Sequence, residues 1–138
     1  MRNIKETLLG CTGFVDNEYL SLYCRLIEQN GRTPVQPRVT NKHHIIPKSW
    51  FKLNNYMIDN SLSNLVNLRY REHVLAHYYL CLCTTGKLQY ANELALICLV
   101  SRKKLNTVDK HLVQSLPLYN NIYEHYKYNQ EIKCKLYE

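Results

Sequence analysis

The sequence predicts an α+β fold, in which a small antiparallel hairpin and a helix are embedded among further helices. Two short segments, 38–46 and 64–68, have the character of strands, and a polar stretch separates them. Apolar residues recur at helical spacing in 16–30 and again in 70–83. Gly and Pro each occupy only four of the 138 positions, and we find no repeat, so we expect a single domain over residues 1–138.

The first predicted helix covers residues 16–30. Asp16 can cap its N-terminus, and Gly31 follows it as a stop signal. Pro34 and Pro37 then favour an extended chain. The apolar face of this helix consists of Tyr19, Leu20, Tyr23, Leu26 and Ile27.

The central unit is predicted to be strand, long loop, strand and helix. The strand at 38–46 ends at Pro47, and the polar residues of 47–63 predict a loop long enough to carry function. The alternating segment 64–68 predicts a second strand, and 70–83 predicts a helix. We therefore take residues 38–83 as the core of the domain, with helical flanks at 1–37 and 84–138.

The C-terminal flank is predicted to hold two more helices. Gly86 lies just past the end of the central helix, and the next helix is expected over 88–103. Asn106 or Thr107 could cap a last helix, which Pro117 would interrupt.

Composition and charge narrow the classes of function. The formal net charge of +7 favours a polyanionic partner, of which nucleic acid is the commonest. The longest apolar run, 94–100, is far shorter than the roughly 20 residues that a membrane span needs. The N-terminus leads into no signal-like apolar region, so we expect a cytoplasmic protein without a membrane partner, in a bacterial or phage-infected cell.

The six cysteines form no Cys-x-x-Cys pair, which argues against a zinc ribbon. Their even number would permit disulfides. Because most lie among apolar neighbours on helical segments, we favour buried free thiols.

Four histidines of the central unit predict a metal site. His73 and His77 are four residues apart on the helix and share one face. His43 and His44 are neighbours on a strand and must point to opposite sides, so one can bind an ion while the other faces a substrate. Three protein ligands leave coordination positions open, as catalysis requires. A zinc protease is a poor alternative, because Val74 stands where its catalytic Glu would follow the first histidine.

These residues resemble the His-Asn-His (HNH) endonucleases, which carry a ββα-metal finger. The resemblance rests on HHIIPK at 43–48, NLVNL at 64–68 and REHVLAH at 71–77. It is closest to phage and bacterial HNH proteins, and to the DNase colicins in ligand layout. It covers about one third of the chain.

The resemblance implies a phosphodiester hydrolase that acts on DNA. His44 would be the general base, and His43, His73 and His77 would bind one divalent ion, magnesium, manganese, zinc or nickel. Asn64 would orient His44 through a hydrogen bond across the hairpin. The ion would contact the phosphate and the departing 3′ oxygen and leave 5′-phosphate products, and no small-molecule cofactor is implied.

The chain departs from the HNH pattern at Asn41, where many relatives carry a glutamate that supports a metal ligand. His73 could also contact the ion through a metal-bound water instead of binding the ion directly. Lys48, Arg69 and Arg71 lie near the motif in sequence, and we expect them to bind DNA phosphates, although each could equally be a solvated surface charge.

Other functions stay open at this point. A toxin-like DNase without sequence preference is one. For the expected DNA hydrolase itself, one metal site suits nicking of one strand, and cutting both strands would need a homodimer or two encounters. A non-catalytic DNA-binding module with a structural metal is another, and a metal-stabilised protein-interaction domain is a third. Both leave His44 and Asn64 without a purpose.

Overall fold

The computed structural model describes residues 3–37, 39–101 and 107–136. The predicted α+β class is confirmed: within these residues, seven helices surround one two-stranded antiparallel sheet. In chain order the elements are α1 (Ile4–Leu9), α2 (Glu18–Gln29), β1 (Thr40–His44), α3 (Lys48–Leu53), β2 (Leu65–Arg69), α4 (Tyr70–Leu82), α5 (Gly86–Val100), α6 (Thr107–Ser115) and α7 (Tyr119–Leu136).

The cap of α2 is one residue later than the sequence suggested. The side-chain oxygen of Asn17 accepts hydrogen bonds from the backbone N–H groups of Tyr19 and Leu20, which satisfies two of the free donors at the helix start. Asp16 instead pairs with Lys5 at 3.1 Å. The prediction of Asp16 as the cap was therefore wrong, because the next residue offers the same chemistry in the right place.

The two strands pair in a register that runs from Thr40 opposite Arg69 to His44 opposite Leu65. β2 ends at Arg69 and α4 begins at Tyr70, so no residue lies between strand and helix. This direct joint fixes the first turns of α4 against the hairpin.

The predicted loop at 47–63 contains a short helix, α3, in its first half. Phe51 on α3 is buried, and the side chain of Trp50 donates a hydrogen bond from its indole N–H to the carbonyl of Thr12. Tyr56 stacks on Trp50 with ring centroids 5.6 Å apart. These aromatic contacts anchor the segment, as expected from the presence of Trp50 and Phe51 in the otherwise polar sequence of the loop.

Two groups of buried side chains form the core, and α4 contributes to both. The first lies between α1, α2, the hairpin and α4, and consists of Leu8, Leu20, Tyr23, Cys24, Ile27, Val66, Leu68, Ala76, Leu80 and Cys83. The second lies between α4 and the C-terminal helices, and consists of Val74, Tyr78, Cys81, Leu96, Leu99, Val113 and Ile122. The five cysteines with described side chains are free thiols, and all but Cys98 are buried, as predicted.

The C-terminal flank agrees with the prediction in part. α5 starts at Gly86, two residues earlier than predicted. The predicted interruption near Pro117 is confirmed, because α6 ends at Ser115 and α7 begins at Tyr119. The predicted end of the helix at 103 and the cap at Asn106 lie outside the described residues. None of the helices in the described ranges is long and apolar enough to cross a lipid bilayer.

Candidate metal centre

The three predicted metal ligands meet in space. His43 comes from β1, while His73 and His77 come from successive turns of α4, and one ring nitrogen of each lies within 4.8 Å of the others. The ring centroid of His43 is 5.4 Å from that of His73 and 5.1 Å from that of His77. Because β1 pairs antiparallel with β2 and α4 begins directly after β2, His43 on β1 lies next to His73 and His77 on α4.

The donor set suits a divalent transition metal. His73 and His77 approach each other with their Nε2 atoms 3.1 Å apart. Ligand nitrogens around a first-row ion with bonds of about 2.1 Å stand roughly 3.0 to 3.4 Å apart, so this pair already has ligand spacing. Imidazole ligands are typical of zinc, nickel and other borderline ions. The three histidines therefore fit such an ion.

The electrostatics also suit metal binding. His43 is only 3% exposed. Its burial, followed by the proximity of His77 and His73, holds the pKa of His43 well below the usual histidine value. The ring is therefore neutral at neutral pH, which is the form that offers a lone pair to a metal.

His44 has different surroundings, although it is the next residue. Its side chain is partly exposed, and its Nε2 atom lies 2.7 Å from Oδ1 of Asn60. Because an amide oxygen only accepts hydrogen bonds, Nε2 of His44 donates a proton to it, and the neutral form of the ring has its lone pair on Nδ1. Asn60 therefore orients His44.

Asn64 does not bond to the ring of His44, contrary to the expectation from the resemblance. It is buried, and its side-chain oxygen accepts a hydrogen bond of 2.8 Å from the backbone N–H of Ile46. Its amide group donates to the carbonyls of Asp59 at 3.0 Å and Ile46 at 3.3 Å. Asn64 ends the turn that precedes β2, so its side chain reaches across the mouth of the hairpin to backbone groups and holds the loop closed.

An open cavity of about 350 Å³ lies over the histidines. His43, His44, His73 and His77 all line it, and so does the predicted Lys48. Lys42 and Lys52 line it as well, although the sequence had not singled them out. The remaining lining residues are Pro47, Ser49, Ala91, Asn92 and Ala95. The site therefore combines imidazoles with three lysines.

Arg69 and Arg71 lie elsewhere. Arg69 pairs with Thr40 at the end of the hairpin opposite His44, and Arg71 is exposed on the first turn of α4. Neither lines the cavity. Their closeness to the motif along the chain does not bring them to the histidines.

Sequence reasoning also missed Tyr23, which it placed only on the apolar face of a helix. Tyr23 is fully buried, and its hydroxyl oxygen lies 2.8 Å from Nε2 of His43. Burial raises the pKa of Tyr23 well above its usual value, so the hydroxyl keeps its proton. The signal available in the sequence was the hydroxyl itself, because a buried tyrosine needs a hydrogen-bond partner.

Comparisons of the chain with protein-family models, with curated proteins and with solved structures found no match. The function is therefore inferred from the residues of the site.

Proposed function

We propose that this protein is a metal-dependent endonuclease of the HNH type, which hydrolyses phosphodiester bonds in DNA. The observation that supports this most is the meeting of His43, His73 and His77 beside His44 in a cavity lined with lysines. In this proposal β1, β2 and α4 form the ββα-metal finger. A purely structural metal site would have no need of a separate, oriented histidine at its edge.

His44 acts as the general base in this proposal. Asn60 holds the proton of the ring on Nε2, so Nδ1 is the atom that takes a proton from the attacking water. The partial exposure of His44 gives that water access to the ring. Asn64 acts indirectly, by holding the loop that carries Asn60.

His43, His73 and His77 would hold one divalent ion. When bound, the ion supplies Lewis-acid stabilisation of the negative charge that develops on the phosphate. Magnesium, manganese, zinc and nickel are the ions to test, and imidazole ligands favour the transition metals among them.

The lysines of the cavity bind the DNA backbone. Lys48 and Lys52 stand four residues apart on α3, so they share one face of that helix, and Lys42 comes from β1. All three are exposed cations at the site, and the chain as a whole has a net charge of +7. Such contacts position phosphates without reading sequence.

The test is cleavage of supercoiled plasmid by wild type and by His44→Ala, with each of the four ions or with EDTA. We expect wild type to nick the plasmid only when metal is present. His44→Ala should fold and bind metal but cleave roughly 10² to 10⁴ times more slowly, which is the usual contribution of a general base. His111→Ala, which changes an exposed histidine on α6, is the matched control and should cleave like wild type.

One result would overturn the proposal. If wild type binds metal and DNA but cuts neither duplex DNA, single-stranded DNA nor RNA with any of the ions, the chain is a metal-stabilised DNA-binding module.

A further inference from the structure

Tyr23 joins a helix outside the hairpin to the candidate metal centre. It belongs to α2, and its ring packs in the first core group, so its position is fixed by buried neighbours. Its hydroxyl oxygen has two partners at 2.8 Å, Nε2 of His43 and the backbone carbonyl of Ile45. The hydroxyl thus stands between a histidine and a backbone acceptor.

The direction of these two hydrogen bonds follows from chemistry. A backbone carbonyl can only accept, and a tyrosine hydroxyl has a single proton to donate. The proton of Tyr23 therefore goes to the carbonyl of Ile45, and the phenolic oxygen is left to accept. The donor to that oxygen is the N–H of His43 at Nε2.

This chain of donors fixes which nitrogen of His43 carries the proton. The neutral ring holds its single proton on Nε2, so Nδ1 has the lone pair. We propose that Tyr23 is a positioning residue, which holds His43 in the Nε2–H form and so presents Nδ1 as the ligand atom that completes the set with His73 and His77. This inference rests on the metal site of the proposed function.

The energetic reason for this positioning applies to metal-binding histidines in general. A metal-binding histidine nearly always donates its other N–H to a hydrogen-bond acceptor, which fixes the ring and makes the ligand nitrogen more basic. Here the acceptor is a phenol, and the phenol is itself held in place by the carbonyl of Ile45. Ile45 directly follows His44, so the same tyrosine also restrains the backbone beside the proposed base.

The test uses the metal-free and zinc-loaded protein and the variant Tyr23→Phe, which keeps the ring and removes the hydroxyl. Tyr78→Phe is the matched control, because Tyr78 is also buried and its hydroxyl accepts a hydrogen bond from the backbone N–H of Leu118. Two-bond ¹H–¹⁵N correlation spectra give the protonated nitrogen of His43, and calorimetric titration gives the zinc affinity.

We expect His43 of the metal-free wild type to be protonated on Nε2, and Tyr23→Phe to shift part of the population to the Nδ1–H form. Zinc affinity should fall about 10- to 100-fold in Tyr23→Phe and stay within about twofold of wild type in Tyr78→Phe.

Two results would overturn the inference. One is a wild-type His43 protonated on Nδ1, which can be observed even when no variant folds. The other is a Tyr23→Phe protein that matches Tyr78→Phe in both tautomer and zinc affinity. If wild-type protein binds none of the four ions, the proposed metal site fails instead, and the tautomer of the metal-free protein still reports on Tyr23 alone.

Discussion

His43 and His44 are neighbours in the chain, yet they have opposite chemical settings. His43 is buried and donates to Tyr23, whereas His44 is partly exposed and donates to Asn60. The pleat of β1 produces this difference, because successive side chains leave a strand on opposite faces. Two identical residues thereby become suited to the two proposed roles, metal ligand and general base.

Asn60 offers a direct test of how His44, the proposed base, is oriented. Asn60→Ala removes the acceptor of the His44 N–H, and a hydrogen bond of this kind is worth about 0.5 to 1.5 kcal/mol. We expect plasmid cleavage to slow by roughly 2- to 13-fold while zinc affinity stays unchanged. Asn120→Ala, at an exposed asparagine of α7, is the control. Equal cleavage rates for both variants would show that Asn60 does not orient the base.

The candidate metal ligands could be predicted from sequence because each depends on local geometry. The helical spacing of His73 and His77 and the strand position of His43 are properties of short segments, and the structure brings these three together. Asn60 and Tyr23 could not be predicted in the same way. One lies in a loop without periodicity and the other reaches the site from a helix 20 residues away in sequence, so only the folded chain reveals them.

α4 is the element on which the site depends most. Val74 and Tyr78 face the second core group, Ala76 and Leu80 face the first, and the two histidines occupy the side towards β1. Because α4 is buried on two sides, the sequence predicted the helix readily but identified only part of its buried surface. The sequence predicts an apolar face of Val74, Leu75, Tyr78 and Leu82. Leu75, for example, is only partly buried.

The closure of the hairpin loop depends on Asn64. Asn64→Ala leaves the backbone groups of Ile46 and Asp59 without their partner, and we expect a loss of about 2 to 3 kcal/mol in the free energy of unfolding. Ser63→Ala, one residue away and exposed, should change it by less than about 0.5 kcal/mol. Chemical denaturation measures both. A variant Asn64→Ala that is as stable as wild type but inactive would point to a direct role in catalysis.

The packing of α7 on α5 includes a buried carboxyl group. Glu93 is 1% exposed, and its two oxygens lie 2.8 and 2.7 Å from Nδ1 of His125. Burial raises the pKa of Glu93, and the hydrogen bond from His125 opposes that rise only in part. The folded chain therefore binds the carboxyl proton more tightly than the unfolded chain does.

The stability of this contact should depend on pH in a defined direction. A carboxyl group whose pKa is raised in the folded chain stabilises the fold at pH values below its unfolded-state pKa of about 4.3. That contribution is lost as the pH rises through the folded-state pKa. We expect the unfolding free energy of wild type, relative to Glu93→Gln, to fall as the pH rises above about 4.3 and through the raised folded-state pKa of Glu93. Glu124→Gln, at an exposed glutamate of α7, is the control. A difference that grows with pH would mean that the ion pair with His125 outweighs burial.

At the scale of the whole molecule, metal binding should raise the free energy of unfolding. An ion that binds only the folded chain adds about 2.7 kcal/mol at 100 times its dissociation constant. For a chain of this length that corresponds to a rise in Tm of roughly 8 to 13 °C. Thermal melting with and without zinc should show this rise in wild type and in His111→Ala but not in His77→Ala. An equal rise in His77→Ala would place the bound zinc elsewhere.

The fold class and the central unit were predictable because the alternating segment 64–68 and the apolar residues of 70–83 mark a strand and a helix in the sequence. The prediction did not include α1 or α3. Each is only six residues long, and contacts made by other parts of the chain hold α3 in place, such as the bond from Trp50 to the carbonyl of Thr12. Short helices of this kind are determined by tertiary packing more than by their own sequence.

The direct joint between β2 and α4 has a consequence for how the length of this chain can vary. An α-helix turns by about 100° per residue, so one residue inserted between Arg69 and Tyr70 would swing His73 and His77 around the helix axis and away from His43. Insertions between α3 and β2 would meet no such restriction where they leave Asn60 and Asn64 in place. Descendants of this sequence can therefore lengthen the hairpin loop freely, but the strand-to-helix joint must keep its length.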